Sequence, residues 1–219
     1  SYGTKKDLDK IFNSSNSVVI YNPVLSNSIQ KMSECAVEDY QFDKKSKYLI
    51  TVSRIAEERN ILGLIDIFNL LPNKKQIKLL IIGDGPLLNQ YISKVKELNL
   101  ENKIQFLGYK SNPYKYLSRA DIYVSTAKWE GMGNSIIEAL FFGLYVVAYN
   151  SPGGVAEMLK QGQFGSLIPI GDKHNFVSSL EKKLNNSNLN NLDLKQHLEL
   201  FKPNNVVKKY IDLIETINT

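Results

Sequence analysis

A single cysteine, Cys35, stands in 219 residues, so no disulfide can close within the chain and nothing points to an oxidising compartment. Cys35 reads as a small buried hydrophobe or an incidental thiol. No apolar run approaches the ~18 residues that a membrane helix needs, and the opening SYGTKKDLDK carries no apolar signal region; a cytoplasmic location is expected. The two histidines, His174 and His197, fall outside the glycine-rich loops and read as surface residues. Asp-x-Asp occurs once, at Asp7-Leu8-Asp9 in a polar segment, which favours a solvated face over a metal site. Gly83-Asp84-Gly85-Pro86 lacks the third glycine of G-x-G-x-x-G and the Lys-Ser/Thr pair of a P-loop. A tight turn, with Pro86 at a helix start, is the simpler reading. No internal repeat is visible. The net charge is mild, 27 basic against 22 acidic residues or +5. It suits an anionic ligand or an anionic membrane face, but pairs such as Lys44-Lys45, Lys182-Lys183 and Lys208-Lys209 are dispersed, and no nucleic-acid partner is expected.

What is present is an alternation of short apolar runs and helical patterns. A polar helix is expected at 5–12, a strand at 18–21 ended by Asn22-Pro23, and a connector with no core of its own from 26 to 47, holding a helix near 28–36. Strands are expected at 48–53, 77–82, 104–107, 122–125, 145–148 and 165–169. Helices fall between them at 60–71, 87–98 and 113–119, over the stretch holding Glu138 and at Glu157. A further helix follows Asp172, a plausible N-cap, then an Asn-rich break at 185–191 and a terminal amphipathic helix at 204–217. Six strands alternating with helices predict an α/β, Rossmann-like, doubly wound parallel sheet, with its ligand crevice at the carboxyl ends of the strands.

The loops that follow the strands are therefore where function is sought. Arg54 and Arg59 follow the first buried strand; two guanidinium forks can grip a diphosphate or pair with Glu57 and Glu58, and spacing does not separate these readings. Leu107-Gly108-Tyr109-Lys110 ends another strand and offers backbone groups to a base edge, whereas Tyr114 and Tyr116 read as packing residues. Glu130 precedes Gly131 and Gly133, which let backbone N–H groups approach a ligand. Asn134 and Ser135 open the next helix with the positive end of its dipole. Ser135 and Glu138 have the spacing of a capping box, but a carboxylate there can equally accept ribose hydroxyls. A second glycine turn, Ser151-Pro152-Gly153-Gly154, leads to Glu157. Two such turns feeding helix N-termini fit a nucleotide or another phosphorylated ligand.

Glu130-Gly-Met-Gly-Asn-Ser-Ile-Ile-Glu138, followed by Gly143, Val146-Val147 and Pro152-Gly153-Gly154-x-x-Glu157, resembles the nucleotide-sugar-binding half of family 4 retaining glycosyltransferases, whose hallmark is two glutamates separated by seven residues. The likeness extends upstream through Gly108 to Leu117, Gly83 to Pro86, Ser53-Arg54 and Asn22-Pro23. It implies the C-terminal half of a two-domain GT-B enzyme: residues 1–16 as the last helix of an N-terminal domain missing from this chain, 17–47 as linker and first strand, 48–203 as the Rossmann-like donor domain, and 204–219 as a helix crossing back.

By the same resemblance Arg54 and Arg59 hold the donor diphosphate, Arg59 standing where the family usually has Lys. Glu138 holds the ribose, Asn134 and Ser135 amides meet the phosphates, Glu130 lies beside the transferred sugar, and Tyr109 and Lys110 meet the base through their backbone. Gly83, Gly131, Gly133, Gly153 and Gly154 are the donor-binding glycines, and Met132 stands where Phe is commoner. The implied activity is retaining transfer of a hexose from a nucleotide-sugar, a UDP-sugar, to a glycan or lipid-linked acceptor in surface polysaccharide synthesis, with peripheral contact at the inner membrane face and neither cofactor nor metal required. A UDP-sugar epimerase of the same fold and a donor-binding module inactive without its N-terminal half are the alternatives. All of this requires Arg54, Arg59 and Glu138 to converge on one cleft.

Overall fold

The computed structural model describes residues 1–13, 16–72, 74–185 and 192–217. Six strands, β1 (Lys47–Val52), β2 (Ile77–Ile82), β3 (Ile104–Gly108), β4 (Ile122–Ser125), β5 (Tyr145–Tyr149) and β6 (Gly165–Ile168), form a single sheet in the order β3-β2-β1-β4-β5-β6. Every pairing is parallel. Sequences such as IKLLII in β2 suit this arrangement because a parallel strand is buried on both faces and has no polar side to present.

Alternate residues of each strand feed two cores. Ile50, Leu80, Ile82, Tyr123, Val146 and Ala148 face one layer, and Leu49, Leu79, Ile81, Ile122, Val124 and Val147 face the other. The first layer holds α2 (Ile29–Ser33), α5 (Tyr114–Leu117), α6 (Asn134–Phe141), α7 (Val155–Met158) and α9 (Leu192–Glu199). The second holds α3 (Ile61–Leu70), α4 (Leu88–Glu97) and α8 (Lys173–Asn185). A helix α1 (Tyr2–Phe12) precedes them and α10 (Pro203–Ile217) closes the described chain. Among the described residues no helix is long and apolar enough to cross a membrane.

Several expectations are corrected. Val18 to Tyr21 belongs to no strand; Tyr21 instead buries its ring 5.1 Å from that of Phe201. The 26–47 connector is stitched to the domain: Ile29 is fully buried, Asn112 Nδ2 donates to the Met32 carbonyl at 2.8 Å, and the Tyr116 hydroxyl reaches Asp39. Cys35 is exposed, so the thiol is not a core residue. The helix α9 lies where no element was expected. Most of the Asn-rich break, residues 186–191, falls outside the described residues. Helix α9 brings His197, read as a surface residue, against the end of α7. There its Nε2 lies 2.9 Å from the Met158 carbonyl, between the rings of Phe164 and Phe201, and burial lowers its pKa. His174 is exposed as expected. Asp172 does cap α8, accepting the Asn175 N–H at 3.0 Å.

Candidate active site

In the order 3-2-1-4-5-6 the connections reverse direction between β1 and β4, and a crevice opens there because the two following loops diverge to opposite faces. A cavity of about 340 Å³ occupies this point, walled by Thr51 to Ser53 at the end of β1, by Ser125 to Ala127 after β4, and by the turn from Glu130 to Ser135 with Glu138. The loop after β1 supplies Arg59, whose carbonyl and that of Asn60 lie within hydrogen-bond reach of the buried Thr126 hydroxyl, at 3.3 and 2.9 Å. Its guanidinium is half-buried and paired with Glu130, and its Nε is buried without a partner among the described residues. The open choice between ligand grip and ion pairing with Glu57 or Glu58 is thus resolved toward neither neighbour: Glu57 pairs with Lys128, and Arg59 pairs across the cavity.

Arg54 is elsewhere. It is exposed and lines a second cavity of about 630 Å³ with Gly83, Asp84, Tyr109 and Lys110. The expected convergence of Arg54 with Glu138 holds only through the wall the two cavities share, Val52 and Ser53. The Ser53 hydroxyl on that wall is buried with no hydrogen-bond partner among the described residues. Gly83 is needed for backbone approach: a Cβ there would stand 1.8 Å from the Ser53 carbonyl oxygen. Lys110 is engaged with Asp39, and Tyr109 remains exposed at the mouth.

Gly131, Gly133, Asn134, Ser135 and Glu138 all line the first cavity, whereas Gly153 and Gly154 line neither. Their place is behind the rim: Glu130 and Gly153 form a parallel β-bridge, the Glu130 N–H donates to the Pro152 carbonyl at 3.1 Å, and the Gly154 N–H donates to the Glu130 carbonyl at 2.9 Å. The capping box is not formed. Helix α6 starts at Asn134 with Gly133 before it at φ 83°, so Ser135 is already inside the helix. Its hydroxyl instead meets that of Tyr123 at 2.7 Å. Glu138 is therefore free of any capping duty and faces the cavity.

Glu138 accepts the Tyr114 hydroxyl at 3.2 Å. Burial pushes its carboxyl up to about 7 from the usual 4.5, partly offset by that hydrogen bond, and burial likewise pushes the Tyr114 phenol up to about 12, so it stays a donor. Because the folded pKa is raised, ionising Glu138 opposes folding, and that cost grows as pH rises from about 4.5 through 7. Glu138→Gln is expected to stabilise the fold by about 3 kcal/mol at pH 8, at ~1.4 kcal/mol per tenfold, and by nothing below pH 4. Thermal melts across that range check the sign.

Three contributors went unassigned in the sequence. Asn22 lines the cavity and donates through Nδ2 to Asn134 Oδ1 at 3.1 Å. Tyr114, read as packing, is the partner of Glu138, and Ser53 is the wall between the cavities. Glu157, quoted in the second turn without a role, accepts the Tyr2 N–H at 2.8 Å and the Tyr21 hydroxyl, fastening α1 beside the rim. For Asn22 and Tyr114 no spacing signal links them to residues 112 and 24 positions away; for Ser53 the adjacency to Arg54 was the available cue.

Solved structures share this architecture. A glycosyltransferase from Rickettsia africae superposes over 100% of this chain and 62% of its own with a TM-score of 0.82 at 20% identity. Staphylococcus aureus TarM, in complex with fondaparinux, alpha-GlcNAc-glycerol and UDP, covers 97% of this chain and 42% of its own with a TM-score of 0.77 at 22% identity. In sequence, the N-acetylgalactosamine-N,N'-diacetylbacillosaminyl-diphospho-undecaprenol 4-alpha-N-acetylgalactosaminyltransferase of Campylobacter jejuni is 29% identical over 171 residues, 78% of this chain. The chain spans 45% of that relative's length. Residues 34–196 match the family described as Glycosyl transferases group 1, and with the parallel sheet and its switch-point cleft this places the chain in that family of glycosyltransferases.

Proposed function

We propose that this chain carries the nucleotide-sugar donor site of a retaining hexosyltransferase that uses a UDP-sugar and delivers its sugar to a glycan or lipid-linked acceptor. The observation that carries the reading is a pair of adjoining cavities at the carboxyl ends of the strands, one at the β1/β4 switch point with Arg59, the opening of α6 and Glu138 around it, the other beside it over the ends of β1, β2 and β3 with Arg54. A diphosphate lying across Ser53 would meet the guanidinium of Arg59, the amides at Asn134 and Ser135 and the orphan Ser53 hydroxyl. The ribose would fall to Glu138, and the base to the cavity under Tyr109. The UDP in the TarM complex and the undecaprenol-linked acceptor named for the Campylobacter relative support the substrate classes.

The chemistry this implies is stabilisation of a leaving group. Preorganised cations and amides aimed at the departing diphosphate lower the barrier as an oxyanion hole does. The leaving phosphate can itself take the proton from the acceptor hydroxyl, so no separate base is required. Glu130 would stand by the sugar and oppose positive charge growing at its anomeric carbon. The charged side chains lining the first cavity, Arg59, Glu130 and Glu138, give no added acid–base pair that would favour an epimerase. With the acceptor half assigned to sequence outside this chain, the chain alone is expected to bind donor without transferring it. Calorimetric titration with UDP, ADP and GDP tests the reading: UDP should bind most tightly and EDTA should leave it bound. Absence of UDP binding overturns it.

A further inference from the structure

The first cavity poses an electrostatic problem for an anionic ligand. Among the described residues that line it, Arg59 is the one cation, while Glu130 and Glu138 are both carboxylic acids. The guanidinium of Arg59 is already paired with Glu130. Both partners are largely shielded, with side-chain exposures of 26% and 17%, so their attraction is stronger than that of a surface pair. The two backbones are held in place, that of Arg59 by the Thr126 hydroxyl and that of Glu130 by the bridge to Gly153. A diphosphate brought to Arg59 therefore meets a carboxylate at the same group. Like charges about 5 Å apart repel by roughly 3 kcal/mol at the effective dielectric of a protein surface, so the carboxylate and the phosphate cannot both settle on this guanidinium without cost.

Resting on the donor-site reading, we infer that Glu130 is the resident counter-ion of Arg59, displaced by the donor diphosphate, and that it thereby sets the affinity for nucleoside diphosphates. In this role Glu130 keeps a half-buried cation neutralised, and a phosphate arriving at Arg59 releases the carboxylate to turn along the rim, toward the side where the sugar would lie. The affinity forgone is the work of separating the pair. A neutral residue of the same shape leaves Arg59 wholly available to phosphate.

The test is the Glu130→Gln variant titrated with UDP and, separately, with uridine. UDP is expected to bind roughly tenfold tighter than to the unmodified chain, the gain of removing one partly buried like charge, and to lose that gain progressively with added salt. Uridine, which has no phosphate to compete, should bind equally to both. Should Gln disturb the turn, Glu130→Ala, which also leaves the backbone bridge in place, gives the same comparison, with circular dichroism confirming the fold. Unchanged or weaker UDP binding in both variants overturns the inference while leaving the donor site standing, since the unmodified chain would still bind UDP. Equal tightening of UDP and uridine also overturns it. If the unmodified chain binds no UDP, the donor-site reading falls as well.

Discussion

UDP binding is expected to fall by at least a hundredfold in Arg59→Ala and by between ten- and a hundredfold in Glu138→Ala, measured by calorimetry on folded protein. Hydrogen bonds to an ionised group contribute roughly 1.5–3 kcal/mol each, and ~1.4 kcal/mol is a factor of ten. Glu138, whose carboxyl burial pushes up to about 7 and so leaves partly protonated near neutral pH, would lose one such bond to a ribose hydroxyl. Arg59 would lose its own bonds to phosphate and leave Glu130 uncompensated beside the incoming charge, which is why its effect is the larger. Arg54→Ala should be milder, because Arg54 is exposed in the adjoining cavity and water screens it. The dispersed surface pair provides the control: Lys44→Ala, remote in character and solvated, should change nothing. Binding that survives in both Arg59→Ala and Glu138→Ala would mean that the nucleotide sits somewhere other than the switch-point cleft.

The second large effect concerns folding. Gly153 has φ 106°, a region that costs a residue with a Cβ about 1–2 kcal/mol. A Cβ there would stand 1.9 Å from the Glu130 carbonyl oxygen, which is backbone and cannot rotate away. Gly153→Ala must therefore part the two glycine turns and give up the hydrogen bonds between them, each worth about 1 kcal/mol. A loss of roughly 3–4 kcal/mol is expected, which for a chain of this size lowers Tm by about 10 °C. Gly131→Ala is the internal comparison: a Cβ there meets nothing within 4 Å, and its melting temperature should stay near that of the unmodified chain. Equal melting of Gly153→Ala and Gly131→Ala would show that the rim does not depend on that close approach.

The architecture was readable in the sequence because its signals are local and repeated. Each buried parallel strand is an apolar run, β2 and β4 being predicted to the residue, and turn glycines separate the runs from the helices. The site was readable only through its loops. Glu130, Gly131, Gly133, Asn134, Ser135 and Glu138 are close in sequence and share one cavity. What sequence could not convey was pairing across the fold. The Arg59–Glu130 pair spans 71 positions, and Tyr114 meets Glu138 across 24. The S-x-x-E spacing pointed to a capping box because spacing cannot say where a helix begins; Gly133 in a left-handed conformation starts it one residue before Ser135. The supposed strand at 18–21 failed for a related reason: its apolar residues serve side-chain packing, with Tyr21 against Phe201, rather than a ladder.

The bridge between Glu130 and Gly153 reaches further than the turn it closes. Helix α1 lies against the back of Gly153, so closely that a Cβ on Gly3 would stand 2.2 Å from its carbonyl oxygen, and Glu157 ties the start of α1 and Tyr21 together. The lip of the cleft and that helix consequently share their slow openings. Deuterium should enter the amides of Glu130 and Gly154 at a common rate, and loosening the helix at Glu157 should quicken both.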